Sequence, residues 1–247
     1  MTPTTRRLVC FGSAAAVGGL LLHGLVRLPS FGSYRGPYGD VLNATAVGER
    51  HATNIPSAVN FDYRAFDTVG EEFILFVAVV GLAVLFREQR DQSCEQQQER
   101  RRHISEAVQW VGIGLFGFLV LLGATIVLHG HLTPGGGFQG GVILAMAALL
   151  IYLLGGAEVL ERLGRRASIE TVEAAGAGAY VLIGLSMLAA GGAFLENLLP
   201  LGQSGRLNSG GMIVLLNVAT GVEVSAAFAL LFVEFLEESR KPPREPS

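Results

Sequence analysis

Residues 129–145 read HGHLTPGGGFQGGVILA, a proline and three consecutive glycines between two apolar segments, with two more glycines where the second segment begins. Pro134 has no N–H and disfavours helix at Thr133, so the segment before it should end as a helix near His131. Gly135, Gly136 and Gly137 then permit a tight reversal that larger residues would resist. Beyond the turn the small residues fall into register. Gly137, Gly141 and Ala145 are spaced by four, as are Gly136 and Gly140, which lays a narrow stripe along one helix face where a neighbouring backbone can come close. Phe138 is the one bulky residue of the turn, and Gln139 is a polar side chain at membrane depth that needs a partner. A phosphate-binding loop is excluded because the Lys and Ser/Thr that complete one are missing.

The rest of the chain explains why two helices would pack through glycine. Half of the 247 residues are hydrophobic and 16% are charged, against roughly a quarter charged in soluble domains. Six apolar runs, at about residues 8–28, 70–86, 107–128, 138–157, 172–195 and 211–236, are each long enough to cross ~30 Å of hydrocarbon as a helix. The expected fold is all-α, a polytopic membrane protein with six transmembrane helices. With both termini in the cytoplasm, 13 of the 18 Lys and Arg residues fall inside and 5 outside, as the positive-inside rule prefers. Arg6-Arg7 before the first run could open a signal peptide, but no small-x-small cleavage site precedes Pro29, so a retained anchor is expected. The net charge of −3, with basic residues scattered between spans, argues against nucleic acid as a partner. Cys10 and Cys94 share neither environment nor spacing, so neither a disulfide nor a metal site follows.

Four stretches organise the chain: a two-span segment over 1–88, a charged cytoplasmic linker over 89–105, a four-span domain over 106–238 and a cytoplasmic tail over 239–247. The linker belongs to the Gln-, Glu- and Arg-rich run REQRDQSCEQQQERRRHISE. The loop from Pro29 to about Phe66 shows little helical patterning and is long for a structureless connection, so it should pack on the protein or on a partner.

Ionisable residues in the apolar runs carry the functional expectation. Thr68-Val69-Gly70-Glu71 has the spacing of a capping box, which would occupy both polar side chains at a helix start. Asp67 lies four residues before Glu71, on the same face of an early-starting helix, and the two carboxylates could strip water from a cation. Glu223 stands near the middle of the last run with Thr220 one turn earlier and Asn217 one turn before that. A carboxylate there must be protonated, paired or facing water, either as a structural bond or as part of a proton or cation path. Glu158 with Arg162 and Glu161 with Arg165 read as helix-surface pairs, and Glu170 and Glu173 as acids favoured at a helix start. His129 and His131 flank the glycine turn two residues apart and lack a third ligand. Zinc is therefore not expected, and solvated loop histidines are favoured over a proton relay.

The motif itself carries a family resemblance. HGHLTPGGGFQGGVILA resembles the signature of the B subunit of Mrp-type multisubunit cation/proton antiporters and of its counterpart in membrane-bound hydrogenases, where a PGGGFxGG stretch opens the second helix of a four-helix subunit. Residues 54–88 are similar to the C-terminal end of the large A subunit, with its DFRGFDTxGE pattern. Here Tyr63 and Ala65 replace the usual Phe and Gly, while Asp62, Arg64, Phe66, Asp67, Thr68, Gly70 and Glu71 are kept. The resemblance implies a fusion of an A-subunit end with a B subunit, with Asp67 and Glu71 near a cation route in an exchanger of Na+ and H+; Glu223 is a further candidate for that path from its place in the last apolar run. The resemblance also implies a cytoplasmic membrane in a prokaryote, and other membrane subunits of the complex as partners, since the long discontinuous helices and buried lysines of the pumping subunits are lacking. No cofactor is expected in this chain. The alternative it leaves open is a scaffold or ion-coupling subunit of a redox-driven complex related to membrane-bound hydrogenase or complex I.

Overall fold

The computed structural model describes residues 3–33, 36–91, 105–163 and 166–239, and every regular element among them is helical. In chain order these are α1 (Pro3–Val26), α2 (Pro37–Arg50), α3 (Ile55–Ala58), a single π-helical turn (Val59–Tyr63), α4 (Ala65–Asp91), α5 (Glu106–Leu128), α6 (Gly137–Leu163), α7 (Arg166–Ala189) and α8 (Met212–Ser239). Among the described residues six helices, α1 and α4 to α8, are long and apolar enough to cross a membrane. The chain is an all-α, multi-pass membrane protein. Met1–Val41 and Leu42–Ser247 form separate compact units. In the first, α1 is an apolar helix whose Leu8, Phe11, Leu20 and Leu25 are all exposed.

The second unit is built around α8. Helix α6 packs between α5 and α8, α7 lies along α8, and α4 contacts both α7 and α8. Two thirds of α8's most apolar window (67%) is buried, against at most 33% for any other span. The glycines of the motif set these distances. A methyl group placed on Gly140 would come within 2.5 Å of Val127 on α5, and one on Gly141 within 2.8 Å of Val224 on α8. Without a hydrophobic incentive to associate in lipid, such close backbone approach supplies the dispersion contacts that hold helices together.

The structure differs from the sequence reading at several element boundaries. The segment before the motif ends at Leu128 rather than near His131, because the His129 carbonyl is already taken by the amides of Leu132 and Thr133 in a tight turn. Gly135 and Gly136 then adopt φ of 138° and 148°, outside the range that side-chain-bearing residues favour. The second span begins at Ala65, five residues before the expected start. The fifth runs Arg166–Ala189 instead of 172–195: its first turns are polar, and it closes at Gly191 (φ 93°) with Gly191 N–H bonded to Leu188 O and Gly192 N–H to Met187 O. That is a Schellman ending, which apolar composition does not reveal. The loop over 29–66 contains α2, α3 and the π-helical turn, and α2 buries only Leu42 and Ala46, too narrow a stripe to show as a periodic pattern. The pairs Glu158–Arg162 and Glu161–Arg165 lie outside the described side chains.

Candidate functional site

Two polar systems sit inside the second unit. The first closes the end at which α4 and α8 begin. Asn54 donates from Nδ2 to the carbonyls of Gly130 (2.6 Å), Thr133 (2.9 Å) and Gly135 (3.2 Å), so a residue just before α3 holds the glycine turn. Asn217 on α8 accepts from the Gly137 amide at 2.9 Å, filling one of the unpaired N–H positions at the start of α6, and donates to Ser57 Oγ (2.9 Å) and Ile213 O (3.0 Å). Asp62 joins Arg50 (2.8 Å) to Asn197 (2.8 Å), and Asn197 also caps the Met212 amide at 2.9 Å. Tyr63 donates to Glu49 at 2.5 Å, and partial burial together with that carboxylate pushes its hydroxyl up to about 12. His131 is fully buried, its Nε2 3.3 Å from Arg206 O, and burial lowers it below the ordinary histidine range. The expectation of a solvated loop histidine is therefore corrected for His131, which the α7–α8 connection covers. His129 sits at the end of α5 with Nδ1 3.0 Å from its own helix at Thr125 O.

The second system lies deeper. Glu72 is seven residues into α4, about 10 Å at 1.5 Å per residue, and Glu223 is eleven residues into α8, about 16 Å. Both are fully buried, as is Thr220. The Glu72 carboxyl lies against Glu223 and Thr220. No oxygen of either carboxyl, nor Thr220 Oγ1, has a partner that satisfies hydrogen-bond geometry, and ionised carboxylates are acceptors only. Among the described residues no Lys or Arg forms an ion pair with either carboxyl. Two buried carboxyls facing one another without a counter-charge are satisfied when a proton or cation lies between them. Glu173 on α7 is also buried, with one unpartnered oxygen, and feels Glu223 electrostatically.

The residues singled out from the sequence therefore separate. Thr220 and Glu223 are buried at mid-depth. Asp67 and Glu71 are exposed near the start of α4, and Asp67 is held by Arg64. The capping box does not form: with α4 starting at Ala65, Thr68 lies within the helix and donates to Asn60 O at 2.7 Å. Pro134 is exposed and Phe138 half-buried in the turn, and Gln139 is exposed, so its amide needs no partner inside the bundle. Glu173, read as a helix-start acid, is in the second turn and faces inward. Glu72 was missed altogether, although its phase was available. Among the described side chains of α4, Ala65, Thr68, Glu72 and Val79 are the buried positions, with Leu75 half-buried between, a three-four spacing that excludes Glu71.

Six apolar helices, with carboxyl groups hidden between α4, α7 and α8, define a multi-pass membrane protein that keeps ionisable residues inside its second unit. The profile described as "Domain related to MnhB subunit of Na+/H+ antiporter" matches residues 93–230, and the chain belongs to that family. It is 30% identical over 197 residues to an uncharacterized protein of Methanocaldococcus jannaschii, covering 71% of this chain and 74% of the relative. It is 29% identical over 140 residues to a probable K(+)/H(+) antiporter A/B subunit of Rhizobium meliloti, where the match covers 47% of this chain and only 14% of that protein. Among solved structures, a chain of the membrane-bound sulfane sulfur reductase, an archaeal respiratory membrane complex, superimposes with a TM-score of 0.71 at 31% identity, covering 94% of this chain and 98% of that one. A chain of the Mrp complex from Dietzia sp. DQ12-45-1b shares the fold, with a TM-score of 0.65 at 23% identity over 99% of this chain and 27% of that one.

Proposed function

We propose that this chain is a small membrane subunit of a multisubunit cation/proton antiporter, moving Na+ against H+ across a prokaryotic cytoplasmic membrane, and that Glu72 and Glu223 hold the transported proton or cation between α4 and α8. The observation that carries this reading is the facing pair of buried, uncompensated carboxyls, because a purely structural role would leave them partnered. Thr220 adds a neutral oxygen at the same place. In the orientation favoured by the positive-inside rule, the starts of α4 and α8 face outward, so Asp67 and Glu71 stand at the outer rim as the approach to the pair. The division into an A-like segment over 1–88 and a B-like segment over 106–238 belongs to the same proposal. The motif Pro134–Gly141 then serves packing, and the chain requires other membrane subunits.

A second reading has its own support: the 31% identity over nearly the whole of a chain from a respiratory membrane complex favours an ion-coupling subunit of a redox-driven assembly. Purification from native membranes in mild detergent, with identification of the co-purifying chains, separates the two. Antiporter subunits alone support the first reading and iron–sulfur subunits the second. The pair itself is tested by Glu223→Gln in the reconstituted complex, which should assemble normally and lose transport; unchanged transport across several pH values would remove Glu223 from the path.

A further inference from the structure

The bundle beyond Glu223 shows where a proton held there would go. Glu173 lies three residues nearer the start of α7 than Gly176, and Gly176 is pressed against Glu223, where an added methyl would come within 2.6 Å of its amide. Glu173 is therefore about one helical turn, roughly 5 Å, further from the start of α8 than Glu223. Ile169, one turn further still, belongs to an apolar plug formed with Val79, Ala227 and Leu230. That plug closes the seam between α4 and α8, so no acid lies directly below the pair within it. Glu170, by contrast, is exposed at the start of α7, three residues from Glu173 and close enough to act on it electrostatically.

We propose that Glu72, Glu223 and Glu173 form a single-file proton relay that passes around the apolar plug, with Glu173 connecting the buried pair to the membrane face at which α7 begins. This rests on the reading of Glu72 and Glu223 given above and extends it to a third helix. The relay is supported independently of the acids by Thr220, a fully buried hydroxyl without a satisfied hydrogen bond that lies against Glu72. Among the described residues no three acidic, His or Cys side chains converge as a ligand cage, whereas successive carboxyls can pass a proton from one to the next. In each hop the O–H bond of one carboxylic acid breaks as an O–H bond forms on the next carboxylate, and the negative charge moves the opposite way. The last proton passes from Glu173 to water at Glu170.

The test follows the protonated-carboxyl C=O infrared band of the whole complex in proteoliposomes after transfer to D2O, alongside proton-coupled transport. Glu223→Gln should remove or shift the band. Glu173→Gln should leave the pair's band in place, slow its hydrogen–deuterium exchange at least tenfold and lower transport by a similar factor. Glu173→Met has a similar volume and leaves no unpaired polar atom, so it should assemble at least as well as wild type and show the same slow exchange. Wild-type exchange and transport in Glu173→Met, with the band still lost in Glu223→Gln, would overturn the relay while leaving the pair intact. An unchanged band in Glu223→Gln would overturn both.

Discussion

The end of the bundle at Asn54 and its middle at Glu223 both bury polar side chains and are oppositely provisioned. At the Asn54 end nearly every polar side chain has found partners: Asn54 makes three hydrogen bonds, Asn217 three, and Asn197 three. In the middle, Glu72, Thr220 and Glu223 have none of adequate geometry. A satisfied network fixes one arrangement of helices, whereas an unsatisfied buried group costs stability and persists where something mobile completes it. The contrast separates what holds this subunit together from what it holds.

The sharpest way to break the contrast is to neutralise the middle. Glu72→Gln and Glu223→Gln should each cut proton-coupled transport of the reconstituted complex by about a hundredfold, the lower side of what a positioned acid–base group contributes. Neither should lower the melting temperature of the purified complex. A fall in thermal stability matching the loss of transport would make these acids structural and erase the distinction between the two regions.

At the satisfied end the expected loss is of stability. Asn217→Leu leaves the Gly137 amide and Ser57 without their partner and brings a branched side chain to a place already packed against Gly130 and Gly136. A cost of about 2–4 kcal/mol is expected from the orphaned groups, read as reduced thermal stability and reduced recovery of assembled complex. Transport per assembled complex should stay near wild type.

How much of this was legible beforehand differs between the same two regions. The glycine turn, its sharp reversal and the role of Gly140 and Gly141 in close packing follow from residue types alone, because Pro and Gly act through local backbone geometry. The partner of that turn does not: Asn54 lies 76 residues before Gly130 and looks like an ordinary loop residue until the fold brings them together. Glu223 stands out because an acid in an apolar run is costly wherever it points. Glu72 hid beside Glu71, since its inward phase is carried by Ala65 and Thr68, which a span read as starting at residue 70 leaves out. Starting the helix at Ala65 turns Glu72 inward and Glu71 outward. Glu173 was obscured by the polar first turns of α7, which resemble a solvated helix end.

Acidification should loosen the Asn54 end selectively. Burial holds His131 below its ordinary value of 6.5, so the unfolded chain binds more protons than the folded one as pH falls through that value. Stability present above pH 6.5 is thus lost progressively below it. Replacing His131 with Gln, which cannot titrate, should flatten the dependence of melting temperature between pH 7 and pH 5. An equally steep dependence in the variant would assign the effect to other groups.

The smallest effect is expected at the rim. Arg64 and Asp67 form an exposed ion pair within one turn, and such pairs contribute about 1 kcal/mol or less because water screens them and ordering two side chains has an entropic cost. Asp67→Asn should therefore leave thermal stability nearly unchanged and lower transport about twofold or less, the change confined to low ionic strength, where exposed charges attract cations most strongly. Transport measured at 10 mM and 300 mM salt distinguishes this rim role from a buried one. A loss of tenfold that persists at high salt would place Asp67 in the path itself and move the outer mouth from the surface of α4 into its interior.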